Sequence, residues 1–348
     1  MRRVHVLIPD GIDDPRRPSG GNVYDRRVCD GLMALGWSVH EHAVAGQWVH
    51  PDAAARSAAG AALARVPNGG LVLVDGLLAS VVPEVLEPEA DRLRLVVLLH
   101  MPRDEAREAA ALSAASAIVA TSDWTRRWLL DHYALPEDRM YVVRPGVDKA
   151  DLASGSVSGG RLLCVGAITP AKGPDLLLEA LTTVDDTAWR CVFVGSLDVD
   201  TEYVDRMRRQ AKDRRLADRV SFTGPLTGAE LERAYAEADA LVLASQFETY
   251  GMVVTEALAR GLPVVATEVG GVPEALGHAP DGSRPGLLVA PGDPHALAQA
   301  LRRWLGDPVE RGRLRVAARS RRLTLSDWAQ TSRELSAVLS TALSGGAG

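Results

Sequence analysis

Lysine is scarce in this chain of 348 residues: it occurs only at Lys149, Lys172 and Lys212, while arginine carries the rest of the positive charge. A lysine kept against that bias marks a place where a point-charge ammonium is wanted. Excess positive charge is missing as well. The formal net charge of −6 argues against a general nucleic-acid binder, which needs a basic surface. Long apolar runs are absent, and no stretch approaches the roughly 18 residues of a membrane-spanning helix. The opening MRRVHVLIPDG holds an apolar run too short for a signal peptide and reads as a first strand. Cysteine is limited to Cys29, Cys164 and Cys191, an odd number in apolar surroundings with no metal-ligand spacing. That excludes a disulfide framework and a cysteine-built metal site, and implies reduced core thiols in a cytoplasmic protein. The dinucleotide fingerprint G-x-G-x-x-G is not present either.

What is present is the make-up of a soluble globular chain, 47% hydrophobic and 24% charged, long enough for two domains. Short apolar runs alternate with helical patterns throughout, the mark of parallel α/β architecture. Strands are predicted at residues 4–9, 38–43, 71–74, 95–100, 117–121 and 140–143 in the first half. In the second they fall at 162–165, 191–194, 220–223, 240–244, 263–266 and 286–290. Helices are predicted over 22–35, 53–65 and 124–133, then 203–213, 228–236, 253–260, 295–305, 311–321 and 326–343, with another starting at Asp175. The small, polar, glycine-rich run 150–160 (ADLASGSVSGG) is the best linker. The expected division is 1–152, 158–322 and a final segment, 323–348, that returns to the first domain.

The most informative stretch is 245–274, SQFETYGMVVTEALARGLPVVATEVGGVPE. Glu248 precedes a Thr249-Tyr250-Gly251 turn, and Glu256 sits inside the helix that follows. The turn leaves backbone N–H groups at a helix N-terminus, where they favour an anion or a cluster of hydroxyls. Each carboxylate can accept hydrogen bonds from sugar hydroxyls. The bland alternative is a solvated helix face.

Four other loops bear on chemistry. Pro18-Ser19-Gly20-Gly21-Asn22 lies between the first strand and first helix. Gly20 and Gly21 would let the backbone approach a phosphate or sugar, and Asn22 would cap the helix. His100 ends the apolar run LVVLLH at the carboxyl edge, where α/β sheets hold ligands; a structural histidine is the alternative. Asp104 and Glu105 follow it along the rim. Gly166 to Gly173 forms a glycine-bounded loop that sets Lys172 before a helix N-terminus, a place for a diphosphate. Asp198-Val199-Asp200 has the spacing of a D-x-D metal site, but it sits in a two-domain pattern unlike the single-sheet enzymes that use one, so no metal is expected. The arginine-rich run 302–322, interrupted by Asp307 and Glu310, is either a solvated face or a peripheral membrane contact.

The 245–274 arrangement closely resembles the E-x7-E signature region of retaining glycosyltransferases of family 4, the group 1 glycosyltransferases of GT-B fold. The resemblance covers nearly the whole chain, through SGGN, VVRPGVD, VGAITPAKGPDLLLEAL, VSFTGPL, GGVPE and GLLVAPGD. It implies two Rossmann-like domains facing across a cleft. It also implies transfer of a sugar from a UDP- or GDP-linked donor, with retention and without a metal or other cofactor. The donor-site residues implied are Gly20, Gly21, Gly166, Lys172, Thr223, Pro225, Leu226, Glu248, Thr249, Tyr250, Gly251 and Glu256. Glu256 would take the ribose, the stretch 223–226 the base and Lys172 the diphosphate. Glu248 and the N–H groups of Tyr250 and Gly251 would take the sugar. His100, Glu248 and Lys172 are the catalytic candidates. The acceptor, a small molecule, saccharide or lipid, would sit mainly on the first domain. One departure stands out: family members commonly have arginine after the glycine matching Gly166, and this chain has Ala167, with Arg144 and Arg103 as conceivable substitutes. A sugar phosphorylase or epimerase, or a nucleotide-binding scaffold without turnover, are the alternatives on the same fold.

Overall fold

The computed structural model describes residues 2–184 and 188–344. Residues 1 and 345–348 of the expected first and last segments lie outside them. The chain forms two compact units: Met1–Asp14 with Ser19–Gly146 and Ser326–Gly348, and Pro15–Pro18 with Val147–Leu325.

The first unit holds six strands: β1 (Arg3–Pro9), β2 (Ser38–Val44), β3 (Leu71–Asp75), β4 (Arg94–Leu99), β5 (Ala117–Ala120) and β6 (Met140–Val142). They pair in parallel in the order β2-β1-β3-β4-β5-β6. The central strands are buried on both faces, which is why LVLVD and LVVLL read as unbroken apolar runs. The order reverses between β1 and β3, so the loops after those strands diverge and leave a crevice at their carboxyl ends. The last helix, Trp328–Ser344, packs on helix Gly20–Ala34 of this unit. A side chain at Gly31 would fall 1.9 Å from Ser332 Oγ, and Trp37 Nε1 donates to Ser336 Oγ at 2.9 Å.

The second unit repeats the plan with β7 (Arg161–Val165), β8 (Arg190–Val194), β9 (Val220–Gly224), β10 (Ala240–Leu243), β11 (Val264–Thr267) and β12 (Gly286–Val289). These are parallel in the order β12-β11-β10-β7-β8-β9, and the reversal falls between β7 and β10. Its core gathers Leu177, Leu181, Phe193, Val242 and Trp304 on one face of the sheet, and Leu241, Val254, Leu258 and Ala275 on the other.

Three expectations need correction. Helix Gly20–Ala34 begins two residues earlier than its apolar periodicity suggests, and Ser19 rather than Asn22 caps it, accepting from the Asn22 N–H at 3.1 Å. Strand β4 stops at Leu99, leaving His100 just beyond it. The run 150–160 is not a free linker, and the boundary between units falls at Gly146/Val147. Buried Asp239 gathers that run: it accepts from the Ser156 N–H and hydroxyl, from the Arg161 N–H at 2.8 Å and from Arg315 at 3.0 Å.

Candidate active site

In the second unit the loops after β7 and β10 carry the donor-site candidates, and these strands flank the reversal of order. After β7 the chain passes Gly166, Ala167 and a turn of 3-10 helix, Pro170–Lys172, then enters helix Pro174–Thr182 through Gly173. Gly173 has φ +61°, and a Cβ there would lie 2.1 Å from the Ala244 carbonyl oxygen. Only glycine lets this loop lie against the end of β10. The result is a direct contact: Lys172 Nζ donates to Glu248 Oε1 at 2.6 Å, and Ser245 Oγ donates to the same oxygen at 2.8 Å. Glu248 is 7% exposed. Gly166 lies beside the Lys172 stem.

The segment 248–250 is propped from below by Gly270 and Gly271. The Gly271 N–H donates to the Glu248 carbonyl at 3.0 Å, and a Cβ on Gly270, at φ +52°, would come within 1.7 Å of that carbonyl oxygen. Tyr250 turns its ring into the core. Gly251, at φ +89°, is the N-cap of helix Met252–Ala259, and no side chain caps that end. A turn later on the helix, Glu256 accepts from Tyr235 Oη at 2.7 Å. Burial raises the Glu256 pKa, opposed by the Tyr235 hydrogen bond and by Arg260. Thr223 lies in edge strand β9, and Pro225 and Leu226 follow directly after it. Thr223 Oγ1 donates to the Gly224 carbonyl at 2.8 Å, and Leu226 packs into the core that holds Tyr235.

In the first unit His100 lies over the start of helix Gly20–Ala34. A Cβ on Gly21 would come within 3.1 Å of His100 Cδ2, so Gly21 makes room for the imidazole. His100 Nε2 lies 2.8 Å from Asp25 Oδ1, and Tyr24 packs edge-on to the ring at 5.3 Å between centroids. Asp25 is 2% exposed. Beside it lies Asp75, the last residue of β3, whose Oδ1 accepts from the Leu77 N–H at 2.5 Å. Asp25, Asp75 and His100 each offer an atom within 4.8 Å of the others. Burial pushes Asp25 up to about 7 and Asp75 well above the usual carboxylate range, and pulls His100 down.

Sequence reasoning missed both acids. Asp75 ends an apolar strand as closely as His100 follows one, so the strand-end rule that singled out the histidine applies to it equally. Asp25 occupies a buried position on a helix whose inner face is Tyr24, Val28, Cys29 and Leu32, and a carboxylate there was the available signal.

Other candidates have structural work. Asp200 caps helix Thr201–Asp213, accepting from the Tyr203 N–H at 2.9 Å. Much of the arginine-rich run ties loops together. Arg311 donates to the Trp304 and Leu305 carbonyls, Arg315 to Ser156, Arg321 to Leu276 and Arg322 to Ala259. Arg144 pairs with Asp123 at 2.5 Å and Arg103 with Glu105 at 3.2 Å, so each conceivable substitute for the arginine absent at Ala167 already has an acidic partner. The three cysteines are free and buried, and desolvation lifts the Cys29 and Cys164 thiols to about 12.

Residues 158–321, which include Lys172, Glu248 and Glu256, match the family model of glycosyl transferases group 1. That segment belongs to the glycosyl transferases group 1. The chain is 34% identical over 247 residues to a D-inositol 3-phosphate glycosyltransferase of Kineococcus radiotolerans, an overlap of 64% of this chain and 57% of the relative. The chain thus spans little more than half the length of that curated relative. Among solved structures, a sucrose-phosphate synthase from Thermosynechococcus elongatus matches with TM-score 0.80 at 21% identity, covering 99% of this chain and 100% of that one. Anabaena Alr3699/HepE, solved with UDP-glucose, matches with TM-score 0.75 at 18% identity, covering 98% and 100%. These likenesses establish the GT-B fold of the chain. No helix among its described residues is long and apolar enough to cross a membrane.

Proposed function

We propose that the chain transfers a glycosyl group from a UDP- or GDP-linked sugar to an acceptor hydroxyl, with retention of anomeric configuration and without a metal ion. The observation that carries this reading is the Lys172–Glu248 pair at the reversal point of the second sheet, with Glu256 on the adjoining helix. The ammonium has hydrogens left for a diphosphate. The second oxygen of Glu248 has no protein donor among the described residues and is open to a sugar hydroxyl. Glu256, already holding Tyr235, can accept from ribose hydroxyls.

In this reading the bond between the anomeric carbon and the diphosphate breaks and its electrons leave with the diphosphate. The acceptor hydroxyl attacks the same face and passes its proton to a departing phosphate oxygen. Lys172 then stabilises charge that grows during the step, the kind of contact that accelerates it. With Ala167 in place of the common arginine, Lys172 bears more of that task. The acceptor is a hydroxyl-bearing small molecule, saccharide or lipid held by the first unit, and inositol 3-phosphate, named for the curated relatives, is the first to try.

The test is incubation with UDP- and GDP-sugars and acceptors in EDTA, following the product's anomeric proton by NMR. A product of the donor's own configuration is expected. An inverted product, or turnover only when a divalent metal is restored, contradicts the proposal.

A further inference from the structure

We propose that Asp25 is a positioning residue for His100: its carboxylate accepts the Nε2–H, leaving Nδ1 as a lone-pair acceptor for a substrate hydroxyl, while Asp75 supplies the proton that satisfies Asp25's other oxygen. The geometry is specific. Asp25 Oδ1 takes the imidazole at 2.8 Å, and Asp25 Oδ2 is buried with no donor while both carboxyls are ionised. The neighbouring Asp75 carboxyl is within hydrogen-bond reach of Asp25 and already receives the Leu77 N–H on Oδ1. Two buried carboxylates side by side share a proton rather than both ionise. Placing that proton on Asp75 completes a chain in which Asp75 donates to Asp25 and His100 donates to Asp25.

The ring cannot easily leave this arrangement. Gly21 abuts one edge and Tyr24 meets it edge-on, with the Tyr24 hydroxyl anchored to the Val143 carbonyl at 3.0 Å. Nδ1 has no protein partner among the described residues, and it is not among the buried atoms that lack one, so solvent reaches it. A neutral imidazole presenting a lone pair accepts a hydrogen from an alcohol. It gives nothing to a phosphate, which the adjacent carboxylate also repels. The ligand class is therefore a neutral hydroxyl of a sugar or polyol, and this half of the inference rests on the glycosyl-transfer reading.

The charged and titratable groups around Asp25 are Arg26 and Cys29 on its own helix, Tyr24 beside it, Asp75 from β3 and His100 after β4; Glu334 on the last helix acts on Tyr24. Burial lifts Asp25 to about 7. Below that, a protonated Asp25 donates to Nε2 and drives the ring proton to Nδ1, removing the acceptor.

The experiment is two-bond 1H–15N correlation on 15N-histidine-labelled protein from pH 6 to 8.5, with H100Q identifying the His100 signals and D25N and D75N compared with wild type. A bare Nδ1 at high pH that gains its hydrogen as pH falls through about 7, in wild type but not in D25N, is expected. A ring protonated on Nδ1 throughout, or identical behaviour in D25N, overturns the proposal, and the wild-type spectrum decides this even if a variant fails to fold. Acceptor kcat/KM is expected to fall at least about tenfold in D25N with nucleotide affinity unchanged. Unchanged kcat/KM beside a changed tautomer overturns the role of Nδ1. Absence of all glycosyl transfer by wild type counts against the glycosyl-transfer reading and leaves the tautomer result standing. Stoichiometric Zn2+ or Mn2+ binding lost in D25N would mark the cluster as a metal site and overturn the proton-sharing account.

Discussion

Lys172 and Glu248 form one ion pair, Nζ to Oε1 at 2.6 Å, although the sequence suggested separate tasks for them, diphosphate and sugar. The carboxylate holds the ammonium over the end of the sheet and also competes with a phosphate for it. A positioned ammonium loses less entropy when a ligand binds than a lysine free in solvent does.

That competition gives the first prediction. Glu248→Gln keeps an acceptor for Ser245 and Lys172 but removes the negative charge beside the phosphates. Nucleoside diphosphate affinity is expected to hold or tighten, while kcat falls roughly 10–100-fold through the lost contact to the sugar. Titration calorimetry and steady-state kinetics on the same preparation check both. Weakened diphosphate binding would show that Glu248 serves the phosphates and not the sugar.

Tyr235 tunes Glu256. Burial raises the carboxyl pKa and the Tyr235 hydroxyl restrains that rise. Tyr235→Phe should raise it further, so loss of nucleotide affinity on acidification begins at a higher pH than in wild type. Binding isotherms at several pH values from 5 to 8 test this. Superimposable profiles would mean that the ionised Glu256 is not what the ribose meets.

Asp25 carries a stability cost with a definite sign. Its pKa is raised on folding, to about 7, so its favourable contribution is complete below the unfolded value and is lost as pH rises through about 7. Asp25→Asn removes a buried charge. The melting temperature of the variant relative to wild type should therefore climb between pH 5 and pH 8, even as its turnover falls. A flat difference across that range would show that Asp25 is already ionised inside the fold at pH 5, its pKa not raised by burial.

Gly270 supports the donor loop by lacking a side chain. With a Cβ 1.7 Å from the Glu248 carbonyl oxygen and φ +52°, Gly270→Ala is expected to cost roughly 3–5 kcal/mol. Gly282→Ala is the control: its φ is +82° but nothing lies within 4 Å, so it meets only the left-handed backbone penalty of about 1–2 kcal/mol. Chemical denaturation of the pair separates clash from strain, and equal losses would remove the close approach from the argument.

Much of this fold was legible because doubly covered parallel strands must be apolar throughout, and central segments such as LVLVD and LVVLL announce themselves as such runs, whereas the edge strands SVHEHAV and VSFTG do not. Helix limits were less so. Ser19 and Asn22 are both good caps, and the choice between them depends on where the chain leaves β1. Short helices such as Val272–Leu276 have no period to detect, and Ala106–Ser113 spans little more than two turns. The glycine- and serine-rich run 150–160 suggested flexibility because Asp239, which organises it, is distant in sequence. Lys172, Glu248 and Glu256 were found through local motifs. Asp25 and Asp75 were not, because they meet only once β1 and β3 are known to be neighbours.

The most direct measurement of the donor site is binding of UDP and GDP to wild type and Glu256→Ala by thermal shift and calorimetry. One diphosphate should stabilise the wild type and lose roughly 10–100-fold in affinity in the variant, as expected for lost hydrogen bonds to a carboxylate. Equal affinity in the two proteins, or no shift with either nucleotide at millimolar concentration, would contradict a nucleotide-sugar site built on Glu256, Lys172 and Glu248.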